Sequence, residues 1–218
     1  MSMQKGDTMK LSAEQMAERR QIMLQTAFRL FAERNIDSVS MEDVAAETDY
    51  GIRSFYRYFK DKDNLVIETA TWAFDSFMAQ YRTRRRRPIE ETTAAEDYEF
   101  FLDSFLDLYR NHADILCFNQ FFNVYVRSEK IDAGQLQPYG GMIDALRERF
   151  RAVYEKGRQD WTLRTDYPEE VIFSATLHLM LAVVTRYAVG LVYDAGVDPE
   201  DELLAMKEML LARYTTTA

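Results

Sequence analysis

Residues 39–65 read VSMEDVAAETDYGIRSFYRYFKDKDNL, and this stretch decides the fold. Ser40 stands directly before an acid-rich segment, and a Ser cap with carboxylates in the first turn predicts the start of a short helix ending near Thr48. Residues 49–51 predict a tight connection, and residues 52–59 predict another short helix. Two short helices joined this closely, the second rich in aromatic and basic residues, are typical of a helix-turn-helix.

Positive charge is concentrated in the same stretch. Between residues 51 and 62, four Lys or Arg residues oppose a single Asp, whereas the whole chain of 218 residues carries a formal net charge of -9. An acidic protein that binds duplex DNA must dock with a basic face, because each neutralised phosphate releases counterions. The overall acidity therefore argues against a general nucleic-acid coat and is compatible with a local DNA-reading surface.

Helical periodicity continues on both sides. Ser12 and Gln15 form a capping-box pattern, and the apolar residues that follow predict a helix over 12–34. Further helical patterns cover residues 65–81, 95–111, 113–128, 139–157, 168–193 and 199–214. No alternating strand pattern competes with them. The sequence predicts an all-α protein of about nine helices, with an N-terminal three-helix domain over residues 10–64 and a larger helical domain over residues 65–218.

Composition excludes several classes of protein. With 47% hydrophobic residues and only 8 Gly and 4 Pro, the chain can bury a sizeable core. The single Cys117 excludes an internal disulfide, and His112 and His178 lack metal-ligand spacing. No phosphate loop, nucleophile elbow or paired-carboxylate motif is present, so we expect no catalytic residues, metal or cofactor. The polar N-terminus and the interrupted apolar stretch 177–193 predict a cytoplasmic protein without a membrane span.

The end of the second short helix carries a resemblance to a known family. Phe55-Tyr56-Arg57-Tyr58-Phe59, followed by Lys60 to Leu65 and preceded by Val39 to Ala45, resembles the DNA-binding domain of the TetR/AcrR transcriptional regulators. The resemblance covers roughly residues 15–66. It implies a recognition helix in the major groove, a Tyr and a following Lys on phosphates, and C-terminal helices that form a ligand pocket and a dimer interface.

This resemblance implies a set of DNA contacts. Ser40 would offer its hydroxyl and its helix N-terminus to a phosphate, and Lys62 would contact the DNA backbone. Arg53 is the best candidate for reading a base, because a guanidinium can donate twice to guanine O6 and N7. Tyr50 either contacts DNA or fills the core under the turn. The full predicted set is Ser40, Tyr50, Gly51, Ile52, Arg53, Ser54, Tyr56, Arg57, Tyr58 and Lys62.

An aromatic-rich segment, residues 98–125, suggests where a ligand would bind. Aromatic walls with a few polar groups suit a small, largely lipophilic or aromatic effector, although large aromatics also simply fill cores. His178 has the alternative of a hydrogen-bonded core or interface residue. The predicted lining residues are Phe105, Tyr109, Phe118, Asn119, Phe122, Trp161 and His178.

The last two predicted helices carry wide apolar faces. Two such helices meeting their twins would form a four-helix interface, and a two-fold dimer would place two recognition helices about one DNA turn, roughly 34–36 Å, apart. An inverted-repeat operator follows from that symmetry. The predicted interface residues are Ala175, Leu179, Ala182, Val183, Arg186, Tyr187, Leu203, Met206 and Leu210.

The arginine run Arg84 to Arg87 has two interpretations. It either touches flanking DNA or an acidic partner, or it forms a solvated, partly paired loop. The loop is favoured, because cations suit a helix C-terminus and Glu90 and Glu91 follow closely.

Together these patterns predict a homodimeric DNA-binding repressor that a small ligand releases from its operator. A regulator gated by a protein partner is an alternative within the same class. A helical small-molecule enzyme is an alternative from another class, and it would need a catalytic constellation.

Overall fold

The described structure is all-α, as predicted. The computed structural model describes residues 12–191, 193 and 196–216, so residues 10 and 11 of the predicted N-terminal domain lie outside it. Within these ranges the helices are α1 (Ala13–Arg34), α2 (Met41–Ala46), α3 (Ile52–Phe59), α4 (Lys62–Arg82), α5 (Ala94–Asn111), α6 (Ala113–Ser128), α7 (Gln137–Asp160), α8 (Glu169–Val189) and α9 (Pro199–Tyr214). A short 3-10 helix, Ile89–Glu91, and one isolated antiparallel bridge complete the regular structure.

Side-chain caps explain where the first helices begin. The Ser12 hydroxyl accepts from the Gln15 backbone N–H at 3.1 Å, and the Gln15 side chain accepts from the Ser12 N–H at 2.9 Å, which confirms the predicted capping box. At α4, the Asp61 carboxylate accepts from the Asn64 N–H at 2.9 Å. The cap places Lys62 in the first turn of α4, directly after the helix-turn-helix.

Two hydrophobic cores share α4 and α6. The N-terminal core contains buried residues of α1 to α3, among them Phe31 and Phe59, and of the first half of α4. Phe118 and Phe122 of α6 belong to the same core. The C-terminal core joins the second half of α4 to α5, α7, α8 and α9. The predicted domain boundary after residue 64 therefore falls inside α4, a continuous helix that belongs to both cores.

A close approach fixes the end of α7 against the start of α5. A Cβ atom at Gly157 would lie 2.7 Å from the Leu163 Cβ, so glycine allows the chain to fold back here. The Asp160 carboxylate accepts from the Ala94 N–H at 2.7 Å and from the Thr162 N–H at 3.0 Å. This region supports one wall of a cavity between α4, α5 and α7.

Helix α8 differs from the prediction that no segment has the composition of a membrane span. Among the described helices it alone is long and apolar enough to cross a membrane, and a third of its most apolar part is buried. A single such helix is weak support for a membrane span, because core helices of soluble proteins can have the same length and apolar composition.

Candidate nucleic-acid interface and ligand cavity

The outer face of α3 carries cations that no carboxylate neutralises among the described residues. Arg53 is exposed and makes neither a hydrogen bond nor an ion pair there. The Arg57 guanidinium lies 5.6 Å from the Tyr58 ring centroid, and the Lys62 Nζ lies 5.4 Å from the Tyr125 ring centroid. Arg57 and, at the start of α4, Lys62 lie against aromatic rings and form no ion pair with a described carboxylate, although the charge of Lys62 helps to lower the pKa of Asp43. Their charge therefore remains available to phosphates.

The N-terminus of α3 is open to solvent. Gly51 is its cap, is exposed and supplies no side-chain hydrogen bond. A Cβ atom at Gly51 would meet nothing within 4 Å. Ile52 and Ser54 are half-buried, so the groove-facing part of this first turn consists of backbone N–H groups and Arg53. Such a terminus attracts anions, because the N–H groups of Ile52 and Arg53 have no partner among the described residues and the helix dipole is positive there; the Ser54 N–H donates to the Gly51 carbonyl at 2.8 Å.

Ser40 is placed differently from its predicted role. Its hydroxyl donates to Asp43 Oδ2 at 2.6 Å and accepts from the Asp43 N–H at 3.1 Å. Hydrogen bonds from the Ser40 side chain and backbone lower the pKa of the Asp43 carboxyl, which keeps it ionised. An internal carboxylate therefore occupies the N-terminus of α2, which argues against a phosphate contact through the Ser40 hydroxyl.

The three predicted tyrosines have different environments. Tyr56 is 49% exposed, and its hydroxyl lies 3.5 Å from a Glu42 carboxylate oxygen, so it is accessible to DNA. The Tyr58 hydroxyl is buried without a hydrogen-bond partner, which removes it from the contact surface. Tyr50 packs against the N-terminal core, with the Arg19 guanidinium 5.2 Å from its ring centroid. Its packing corresponds to the core alternative rather than to DNA contact.

The structure does not bring the predicted ligand-binding residues together. Phe118 and Phe122 are buried in the N-terminal core, where Phe118 lies 5.5 Å from Phe28 between ring centroids. Trp161 is the C-cap of α7 and is 75% exposed. The aromatic residues of α6 thus join the two halves of the molecule, and Phe118, Phe122 and Trp161 do not line a common cavity among the described residues.

The remaining predicted ligand residues are scattered. Phe105 lines a small cavity of about 60 Å³, and Tyr109 lies beside Tyr187 at 6.2 Å between ring centroids. Asn119 and His178 line an open cleft of about 550 Å³ along α6 and α8, in which the Asn119 side-chain oxygen is buried without a partner. His178 is exposed there, so it is not a core residue of the protomer.

An apolar cavity of about 230 Å³ lies between α4, α5 and α7. Its walls are Met78, Tyr81, Phe100, Phe101, Leu146, Phe150 and Val153. Arg82, Arg85, Ile89, Asp97, Ser104 and Arg149 complete the lining. Sequence reasoning missed this cavity, although Phe100 and Phe101 lie in the aromatic-rich segment. Nothing local indicated that α7 would form the opposite wall.

The arginine run forms a loop whose side chains pair with α5. Arg84 pairs with Asp107, and Arg85 pairs with Asp97, whose side chain is fully buried. Arg87 reaches Glu96 at 3.0 Å. The run is therefore a partly paired loop, as in the favoured interpretation, with Arg84, Arg86 and Arg87 exposed and with its carboxylate partners supplied by the next helix.

A second cation, Lys156 of α7, completes the cluster around Asp97. Its Nζ lies 2.7 Å from Asp97 Oδ2 and donates to the Ile89 carbonyl at 2.5 Å. Arg85 also lies over the Phe100 ring, 4.5 Å from its centroid. Asp97 thereby holds the connection between α4 and α5 against α7, at the edge of the cavity.

Helices α8 and α9 present a partly apolar outer face. Of the predicted interface residues, Leu179, Ala182 and Arg186 are exposed, and Ala175, Val183, Tyr187 and Met206 are half-buried. Leu203 and Leu210 are buried inside the protomer, so they offer no free surface. Exposed apolar side chains that the prediction missed are Val171, Val189, Leu204 and Met209.

Comparisons with known proteins agree with this architecture. Residues 23–69 match the model of the family described as bacterial regulatory proteins, tetR family. An HTH-type transcriptional regulator of Staphylococcus aureus (strain bovine RF122 / ET3-1) is 32% identical over 65 residues, 30% of this chain and 35% of that protein. The chain therefore matches about a third of the length of this curated relative.

Two solved structures share the fold over most of the chain. A putative transcriptional regulator from Saccharomonospora viridis, solved in complex with choline, has a TM-score of 0.68 at 17% identity and covers 92% of this chain and 100% of its own. The ketosteroid transcriptional regulator KstR2 of Mycobacterium tuberculosis has a TM-score of 0.60 at 17% identity, and it covers 91% of this chain and 96% of its own.

The helix-turn-helix and the family match define the class of the N-terminal domain: a DNA-binding domain of bacterial transcriptional regulators. Residues 23–69 are similar to the DNA-binding domain of the tetR family, and the rest of the chain shares the fold of the solved regulators.

Proposed function

We propose that this protein is a homodimeric, sequence-specific DNA-binding repressor that leaves its operator when a small lipophilic ligand fills the cavity between α4, α5 and α7. The observation that carries the proposal is the outer face of α3, where Arg53 and the bare helix N-terminus are exposed without an internal anion. The protein would act in the cytoplasm, where its DNA is.

The proposed DNA contacts divide into two roles. Arg53 reads a guanine, because its guanidinium is unpaired in the first turn of α3, the part of a recognition helix that contacts base edges. Tyr56, Arg57 and Lys62 bind phosphates and set the register on the duplex. Their positions at the end of α3 and the start of α4 suit contacts with one strand of the backbone.

The outer face of α8 and α9 supports a two-fold dimer. Leu179, Val189, Leu204 and Met209 are apolar and exposed on these two helices, and neighbouring apolar side chains of this kind mark interaction surfaces. A two-fold arrangement of four helices would bury them and place two copies of α3 on successive half-sites.

Helix α4 supports coupling between the cavity and the DNA. It has 21 residues, so at about 1.5 Å per residue it spans roughly 30 Å. Lys62 stands at the DNA end, and Tyr81 and Arg82 line the cavity at the other end. If α4 has two positions, each corresponds to one spacing of the two recognition helices in the dimer. A ligand that binds more tightly to one position increases the population of that spacing. The size of the shift is set by the difference in ligand affinity between the two states.

A second connection runs through α6. The Tyr125 hydroxyl donates to Asp63 Oδ1 at 2.6 Å, beside the start of α4. Burial and the hydrogen bond to Asp63 raise the pKa of Tyr125, so the hydroxyl stays protonated and remains a donor. A movement of α6 would therefore displace the first turn of α4, where Lys62 lies.

Selection of genomic fragments by the purified protein tests the DNA-reading part. At about 150 mM salt, nonspecific binding is weak, so recovered fragments report specific recognition. We expect an inverted repeat with half-sites about one DNA turn apart. Recovery of no sequence above background by a folded, ligand-free dimer would contradict the proposal.

Reciprocity tests the ligand-release part. Once a ligand is found, its effect on operator affinity and the effect of operator on ligand affinity are measured by titration. Thermodynamic linkage requires the two factors to be equal. Independent binding of ligand and operator would favour a regulator gated by another partner.

A further inference from the structure

The cavity between α4, α5 and α7 has an excess of positive charge on its lining. Three arginines, Arg82, Arg85 and Arg149, line it together with a single carboxylate, Asp97. This excess occurs in a protein whose formal net charge is -9. The local charge is thus opposite in sign to that of the whole molecule.

The only lining carboxylate is already neutralised. Arg85 pairs with Asp97, and Lys156 binds the second oxygen of the same carboxylate at 2.7 Å. Asp97 therefore has no charge left to compensate Arg82 or Arg149. Neither of these two arginines makes a hydrogen bond or an ion pair with any described residue.

Arg82 and Arg149 act on each other across the cavity. Arg82 stands at the last turn of α4 and Arg149 lies on α7, and both are exposed. Partial burial and the charge of Arg149 lower the pKa of the Arg82 guanidinium, and the charge of Asp75 opposes this shift only in part. Two neighbouring guanidinium groups that repel each other gain free energy when an anion binds between them.

The remaining walls are apolar. Phe100, Phe101, Leu146, Phe150 and Val153 line a volume of about 230 Å³, below the roughly 300–1,000 Å³ common for drug-sized ligands. A compact apolar body fits such a space. From these two features, and on the basis of the function proposed above, we infer that the effector is an amphiphilic anion: a carboxylate or phosphate held by Arg82 and Arg149 on an apolar body inside the cavity.

The same geometry disfavours a cationic effector. An aromatic wall can bind a cation through its ring faces, but Arg85 already lies over the Phe100 ring. A cationic ligand would also meet two guanidinium groups that have no ion-pair partner among the described residues, and no free carboxylate on the lining. The lining therefore favours an anionic effector over a cationic one.

Calorimetric titration with matched ten-carbon probes tests the charge requirement. The probes are decanoate, decyl phosphate, 1-decanol and decyltrimethylammonium, each below its micelle concentration. We expect at least one anion to bind about tenfold or more tightly than 1-decanol, and the cation to bind least. The comparison of decanoate with decyl phosphate distinguishes the two anionic groups. Equal affinity for the anions and 1-decanol would overturn the inference.

Two variants locate the anion. Arg82→Gln and Arg149→Gln should each weaken binding of the anion by about tenfold and leave the affinity for 1-decanol unchanged. Arg86→Gln is the matched control, because Arg86 is exposed in the same segment and does not line this cavity. Loss of anion affinity in the control as well as in the two variants would contradict the assignment, since it would indicate attraction by the whole arginine run.

Operator titrations separate this inference from the proposed function. If 1-decanol or the cation releases the operator and the anions do not, the ligand-responsive regulator stands and the anion inference fails. If the anions bind with the expected dependence on Arg82 and Arg149 but leave operator affinity unchanged, the anion site stands and the ligand-release proposal fails. If none of the four probes binds, the anion inference is overturned, and the DNA-reading proposal is decided by fragment selection alone.

Discussion

Two basic stretches of this chain, residues 51–62 and residues 82–87, have contrasting structural roles. In the first, Arg53 and Arg57 project from a short helix without any carboxylate partner among the described residues. In the second, Arg84, Arg85 and Arg87 are all bound to carboxylates of α5. The first stretch thus forms an outward cationic surface. In the second, Arg84, Arg85 and Arg87 hold the loop after α4 against α5, and these ion pairs are called the internal clamp below.

The difference lies in where the folded chain places acidic residues. Beside the first stretch, Asp61 is occupied as the cap of α4, and Asp63 accepts from Tyr125. Beside the second, α5 presents Asp97 and Asp107 directly to the arginines. A cation in a basic run is therefore free to bind an external anion where no neighbouring carboxylate pairs with it, as at Arg53 in the first stretch and at Arg82 in the second.

Phe118→Ala tests whether α6 holds the N-terminal core to the rest of the molecule, between the two basic stretches. It should have the largest effect on the free energy of unfolding. The ring is fully buried, with Phe28 at 5.5 Å and Phe31 at 6.3 Å between centroids. Loss of such a ring should lower the free energy of unfolding by about 3–5 kcal/mol. Urea unfolding measures this loss.

Phe100→Ala is the matched aromatic control for that experiment. Phe100 is half-buried on the cavity wall, so its removal leaves a smaller internal void and should cost less. A loss at Phe100 equal to that at Phe118 would indicate that α6 has no special role in holding the halves together.

Asp97→Asn breaks the internal clamp and comes next in size. Removing the charge leaves Arg85 and Lys156 facing a buried amide, and breaking a buried ion pair in this way costs about 3 kcal/mol or slightly more. Thermal or urea unfolding reports the change. Asp144→Asn, at an exposed pair with Arg147, should alter stability by less than about 0.5 kcal/mol. If Asp97→Asn and Asp144→Asn both lowered the free energy of unfolding only slightly, the arginines paired with α5 would not stabilise the fold, and the contrast between the two basic stretches would fail.

Arg53→Ala tests the outward stretch without touching the clamp. It should cost about 1–3 kcal/mol of operator binding free energy and relax the preference at one base position. Lys62→Ala should instead weaken all sequences alike and reduce the salt slope by about one. Arg127→Ala, an exposed cation at the end of α6, is the control expected to change neither. Identical behaviour of Arg53→Ala and Lys62→Ala would contradict their separate roles.

The helices and the helix-turn-helix were predictable because their signals are local. Capping residues such as Ser12 lie within one turn of the groups they satisfy, and apolar periodicity is visible in any single helix. The resemblance to the TetR family also depended on one continuous stretch. The comparisons confirm that resemblance and the fold class.

The cavity and the free faces were not predictable in the same way. The cavity needs α7 to meet α4 and α5, and nothing local in α7 indicates that contact. In α9, apolar residues cover more than one face, so the sequence alone could not tell that Leu203 points inward while Leu204 and Met209 remain exposed. For Tyr58, local pattern suggested a DNA contact, and packing buried its hydroxyl. Such choices depend on partners distant in sequence.

Asp160→Asn gives the smallest expected effect and tests the support of the cavity wall. Burial opposes ionisation of Asp160, but the N–H groups of Thr162 and Ala94 lower the pKa of its carboxyl below the usual 3.8. Because the folded state favours the charged form, its stabilisation is present above pH 3.8 and disappears as the pH falls through the lowered pKa. Near neutral pH the variant should lose about 1 kcal/mol or less of unfolding free energy, and once the pH lies below the lowered pKa the two proteins should converge. Urea unfolding of both proteins across this pH range measures the difference, with Asp144→Asn as the exposed carboxylate control. If the difference in unfolding free energy persisted unchanged into acid, the contact between Asp160 and the start of α5 would depend on the shape of the side chain and not on its charge.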